Sequence, residues 1–234
     1  MRRLIIGLAI AALASTSAST SALAQIETVV VTAERNYGGD APGVTLVERA
    51  DHLVTKVKVT CDTRDPVRRK EEMRQTLRDM IAQARSSSSI SLGIGDEVLY
   101  EFNEDAIDKT IVADTRADTS SASIVIRTEL SKTDTYEAAT KRIVEFILHT
   151  PKSGRTEILN NEPYNLGLMK PERYRAELVG KIAEDSKHTA ALFGAGYQVR
   201  IEGLQHAVQW FQSGKLDLSL YIPYSLVIAP SGAP

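Results

Sequence analysis

Cys61 and the four histidines, His52, His149, His188 and His206, are the side chains best suited to nucleophilic or metal chemistry, and their setting argues against both. A reactive thiolate needs a neighbour that lowers its pKa. Nothing close to Cys61 in sequence does this, and on an alternating strand it points inward, where thiols are usually inert. The histidines are so widely spaced that a metal site would need the fold to gather them together with carboxylates. Asp114 and Asp118, four apart in VADTRADTSS, are candidates for an acid-base pair but read more simply as surface turn residues. The acidic stretch with Glu97, Glu101, Glu104 and Asp105 lacks the alternating oxygen ligands and glycine of a calcium loop. No G-x-S-x-G, H-E-x-x-H, C-x-x-C or Walker-type phosphate loop occurs, and the pairs Gly93/Gly95 and Gly194/Gly196 lack the third glycine of a dinucleotide fingerprint. Of the neighbours Trp210 and Phe211, one is expected in the core and the other at the surface. The expectation is no catalytic residue, no metal and no cofactor.

The segment that does carry a chemical proposition is Glu27-Thr28-Val29-Val30-Val31-Thr32-Ala33, and the proposition concerns its backbone. Valine and threonine favour extended chain, and an extended peptide can add to the edge of another protein's sheet through main-chain hydrogen bonds. The next stretch, NYGGDAPG (residues 36–43), gathers turn residues and reads as a linker. The segment is either the first strand of the folded domain or a peptide taken up by a partner. The spacer favours the peptide.

Ahead of it, MRRLIIGLAIAALASTSASTSALAQ shows the charged, apolar, small-residue order of a signal peptide, with cleavage expected after about Ala24. Its apolar run is shorter than the roughly 20 residues of a spanning helix, and no later segment is long enough to span a bilayer. With 28 Lys and Arg against 30 Asp and Glu, and two of the basic residues in the leader, charge gives no reason to expect nucleic acid or anionic lipid as a partner. A single cysteine means that an exported chain would rely on a buried core rather than internal disulfides.

The elements that must position these residues follow from periodicity. LVTKVKVTC alternates as a strand, with Leu53, Thr55, Val57, Val59 and Cys61 on one face. Asp65 and Pro66 open a helix with Met73, Leu77, Met80, Ile81 and Ala84 on its buried face. SISLGIG and EVLYEF then return as extended chain. A second unit joins the strand ASIVIRTEL to a helix starting at Asp134, with Glu137 in capping-box spacing, and to RTEIL. A third helix runs from about Pro171 to Phe193, with Val179, Ile182, Ala183, Ser186, Ala190 and Phe193 on one side and Gly194 as its cap. The C-terminal third is strand-like: YQVRIEG, a hairpin through HAVQWFQ, and LDLSLYIPYSLVI, whose one-parity apolar row from Leu216 to Ile228 predicts a single strand of about a dozen residues. Pro223 places part of that strand at an edge or a bulge, available to another chain. The fold class expected is α+β: β-α-β units with three main helices packed on antiparallel or mixed sheets.

From Gly43 to Ile228 this order resembles the SIMPL-domain family of exported bacterial proteins. GVTLVERADHLVTKVKVTCDTRDPVRRKEEMRQTLRDMI matches its start, with Ala50-Asp51 at the family's Pro-Asp position; ERYRAELVGKIAEDSKHTAALFG, VRIEGL and LDLSLYIPYSLVI match its long helix and closing strands. The resemblance implies an α+β fold, a cell-envelope location, self-association into a homo-oligomer, links to stress tolerance and no catalytic residues. Glu27 to Ala33 resembles the TonB box of TonB-dependent outer-membrane receptors, which implies TonB as a partner. The rest of the chain is too short for a receptor's plug and barrel.

The expected domains are a signal peptide (1–24), a TonB-box-like segment and linker (25–42), a SIMPL-like domain (43–229) that divides into two subdomains in one reading, and a short tail (230–234). The leading function is a non-enzymatic periplasmic protein, in one reading associated with the outer membrane, that self-associates and recruits TonB. The alternatives are a structural or stress-protective assembly protein without TonB contact, and an enzyme or ligand-binding protein with an unrecognised pocket.

Overall fold

The computed structural model describes residues 42–95 and 98–231, and the backbone course of Gln25–Val29. The expected signal peptide and Val30 to Ala33 lie outside the described residues.

The strands are β1 (Gln25–Val29), β2 (Leu46–Arg49), β3 (His52–Cys61), β4 (Ile90–Ile94), β5 (Val98–Glu101), β6 (Val112–Ala113), β7 (Ser120–Glu129), β8 (Thr156–Leu159), β9 (Asn165–Gly167), β10 (Tyr197–Glu202), β11 (Gln209–Gln212), β12 (Asp217–Tyr221) and β13 (Ser225–Pro230). The helices are α1 (Pro66–Ser86), the single turn α2 (Ile107–Thr110), α3 (Tyr136–His149) and α4 (Arg175–Phe193). The chain has an α+β fold.

Strands β1-β5-β4-β7-β3-β8 form one antiparallel sheet, with β6 beside β7 and β9 beside β3. Both expected β-α-β units are present, and they interlock. The crossover β3-α1-β4 straddles β7, and β7-α3-β8 straddles β3, so the central order β4-β7-β3-β8 is that of a ferredoxin-like split β-α-β pair. This order carries no function by itself.

Helix α1 begins where Asp65 accepts a hydrogen bond from the Arg68 amide at 2.7 Å and Pro66 supplies the first-turn φ. Its buried stripe is the expected one, with Glu72 and Thr76 added. In α3 the cap is Thr135, which accepts from the Ala138 amide; Asp134 instead forms an ion pair with Arg142 at 2.6 Å. Met73, Leu77 and Met80 of α1, Ile143 of α3, Leu53, Val57 and Val59 of β3, and Ile124 and Ile126 of β7 share one core. Each such side chain contributes about 1.5–3 kcal/mol on leaving water.

The same core continues into the C-terminal third, where α4 buries Leu178 and Ile182 and the sheet β11-β12-β2 buries Trp210, Leu218, Leu220 and Leu46. Strand β12 pairs with β2 in the register Leu218↔Glu48 and Leu220↔Leu46, which ties the end of the domain to its start. The expected single strand from Leu216 to Ile228 is two strands in two sheets. It breaks at Ile222–Tyr224, where Pro223 cannot donate a ladder hydrogen bond, and β13 leaves to pair with β10. Before the break Leu216, Leu218, Leu220 and Ile222 are buried in the core and Tyr224 packs against it, whereas Leu226 and Ile228 on β13 are only half-buried. Helix α4 also departs from expectation: its buried stripe is Leu178, Ile182 and Ser186, while Leu192 and Phe193 are exposed.

Candidate functional site

The backbone of Gln25–Val29 is an edge strand, so Glu27, Thr28 and Val29 of the candidate peptide belong to β1. β1 pairs antiparallel with β5 through Gln25↔Tyr100 and Val29↔Val98, and the register shifts between them: four residues advance on β1 while two advance on β5. A shifted ladder leaves backbone groups unmatched and is weaker than a regular one. Among the described residues β5 pairs with β4 through Gly93↔Glu101 and Ile94↔Tyr100, and the Phe102 amide donates to the Leu92 carbonyl just beyond. Among the described residues no strand pairs with the outer side of β1.

Away from this edge, one buried carboxylate gathers four hydrogen bonds. Glu72 lies in the buried stripe of α1, and its Oε2 accepts from Thr63 Oγ1 at 2.5 Å, the Arg155 amide at 3.1 Å and Cys61 Sγ at 3.4 Å. Oε1 accepts from Arg68 Nε at 2.8 Å. The Thr63 hydroxyl, then the Arg155 amide, hold its pKa down to about 2, outweighing burial. A carboxylate so fully occupied is an anchor rather than a general base. Gly154 is pressed against it with φ of 57°, and a β-carbon there would come within 2.0 Å of the carboxyl carbon. Glu72 therefore fixes the turn that leads into β8.

That turn borders a polar cleft of about 380 Å³ whose lining includes Thr60, Asp62, Arg116, Thr119, Arg155 and Glu157. Arg155 forms a fork on Asp62 at 2.7 and 2.9 Å, and Arg116 stands 4.0 Å from the same carboxylate. Two guanidinium groups face two carboxylates, so the lining has no net charge with which to attract an ion.

The other sequence candidates stay dispersed. His52 is buried on β3, with neither ring nitrogen hydrogen-bonded and Gly167 directly opposite. Burial, then the charge of Arg127, push its pKa down to about 4. His149, His188 and His206 are exposed. Among the described residues no group of three or more His, Cys, Asp or Glu side chains is placed to hold a metal ion. Asp114 forms an ion pair with Lys58 at 2.6 Å, while Asp118 occupies a left-handed turn position, so they do not act as a pair. Cys61 is buried beside Glu72. Trp210 is buried and Phe211 half-buried, as alternation requires. Glu104 and Asp108 form ion pairs with Arg85 and Arg74 on α1. No helix among the described residues is long and apolar enough to cross a membrane.

Comparison with protein-family models, curated proteins and solved structures finds no match to this chain.

Proposed function

We propose that this is a non-enzymatic, exported envelope protein that self-associates and offers Glu27–Ala33 to a TonB-type energy-coupling protein, thereby modulating outer-membrane transport. The observation that carries the reading is the β1–β5 ladder. Glu27, Thr28 and Val29 of the segment are already extended in β1, at a sheet edge and in an irregular register, so releasing them costs few hydrogen bonds. A partner strand that pairs continuously with residues 27–33 gains more bonds than β5 gives up. Titrating the purified protein with the periplasmic domain of TonB tests this, with Val30→Pro as the variant that deletes one backbone donor. Saturable binding weakened at least about tenfold by the proline is the expected result. Absence of binding, or binding indifferent to the proline, removes TonB from the account.

The same pairing favours a second reading, a SIMPL-type structural or stress-protective assembly in which β1 stays in its own sheet. Under that reading the amides of β1 exchange with solvent as slowly as those of β5, with or without TonB.

A further inference from the structure

Among the described residues the sheet β10–β13 has two strands, paired over six residues from Tyr197↔Pro230 to Glu202↔Ser225. Opposite residues share a face, so Val199, Ile201, Leu226 and Ile228 form one apolar row, each half-buried, with α4 packed against β10. The other face carries Gln198, Arg200, Glu202, Ser225, Val227 and Ala229. Two strands are marginal by themselves, and an apolar row left half in water gains from further strands.

The two edges differ. On β10, Arg200 and Glu202 form an ion pair at 2.6 Å. β13, Ser-Leu-Val-Ile-Ala-Pro, has no charged side chain, and its proline occupies the last position. Charges, bulges and interior prolines are the devices that keep sheet edges from pairing, and β13 lacks all three.

We infer that β13 is the self-association edge, pairing antiparallel with β13 of a second copy about a two-fold axis. The inference rests on the self-association part of the proposed function and is independent of TonB. A second copy is the occupant because an uncharged strand meets itself without repulsion and with matching side chains. A register centred on Val227 sets Val227 against Val227, Leu226 against Ile228 and Ser225 against Ala229, and leaves Pro230 outside the ladder. The product is a four-stranded sheet, β10-β13-β13-β10, whose apolar rows join on the face that carries α4. It also buries Val227, which is 48% exposed in the single chain.

Sedimentation of the purified protein, Val227→Lys, Val227→Glu and an equimolar mixture of the two variants tests this. Val227 lies on the solvent face, so both variants are expected to fold, and thermal melting followed by circular dichroism checks that they do. The wild type is expected at twice the chain mass. Each variant sets like charges directly opposite one another and raises the dissociation constant by about tenfold or more. The mixture, with Lys facing Glu across the axis, recovers the dimer. A one-chain wild type overturns self-association altogether. Variants that keep the wild-type mass, or a mixture that stays monomeric, overturn the assignment to β13 and send the interface to another surface or another partner.

Discussion

The side-chain carboxylate of Glu72 on α1 accepts a hydrogen bond from the backbone amide of Arg155, 83 positions further along the chain, at 3.1 Å. The bond joins the first helix to the turn that begins β8 and closes the second β-α-β unit upon the first. Glu72→Ala strands the Thr63 hydroxyl and the Arg155 amide, and it is expected to cost about 2 kcal/mol in a urea unfolding curve. Glu72→Gln, which keeps one acceptor oxygen, is expected to cost less. Equal stability of Glu72→Ala and wild type would show that the anchor carries no weight.

Gly167 and His52 face each other across β9 and β3. A β-carbon at Gly167 would lie 2.3 Å from His52 Nε2, so Gly167→Ala is expected to destabilise by about 2 kcal/mol. In a His52→Ala background the added methyl has room, and the cost of Gly167→Ala should fall below about 1 kcal/mol. A double-mutant cycle measures the coupling, and simple additivity would refute the clash.

Acid lowers stability in two windows. His52 has a pKa of about 4 in the fold against an ordinary value of 6.5, so the unfolded chain takes up the proton first as pH falls. Its contribution is complete above pH 6.5 and is lost on descending to about pH 4, a change of about 3 kcal/mol. Glu72, at about 2 in the fold against 4.5, acts lower: its stabilisation is present above pH 4.5 and lost on descending to about pH 2. Unfolding free energies measured from pH 7 to pH 4 should fall for the wild type and stay flatter for His52→Leu. Parallel curves would exclude His52 as the cause.

Some of this architecture is legible in the residues and some is not, for physical reasons. Asp65-Pro66 and the spacing Met73, Leu77, Met80, Ile81, Ala84 mark α1 because capping and a 3.6-residue stripe are local properties. The alternation of β3 and β7 marks strands for the same reason. The interlocked order β4-β7-β3-β8 is a matter of long-range pairing, and no local pattern encodes it. Parity alone joined Leu216 to Ile228, whereas Pro223 divides them between two sheets. Glu72 shares the buried side of α1 with Met73, Thr76 and Met80, but its partners Thr63 and the Arg155 amide come together with it only in the fold. The strand β1 was legible as extended chain, while its pairing with β5 was not.

Hydrogen exchange at the amides from Ile26 to Val31, alone and with the periplasmic domain of TonB, tests the central claim most directly. The expected result is rapid exchange in the free protein, faster than in β7, and strong protection of these amides in the presence of TonB. Amides already as protected as those of β7, and unchanged by TonB, would contradict the account and leave the segment as a permanent strand of its own sheet.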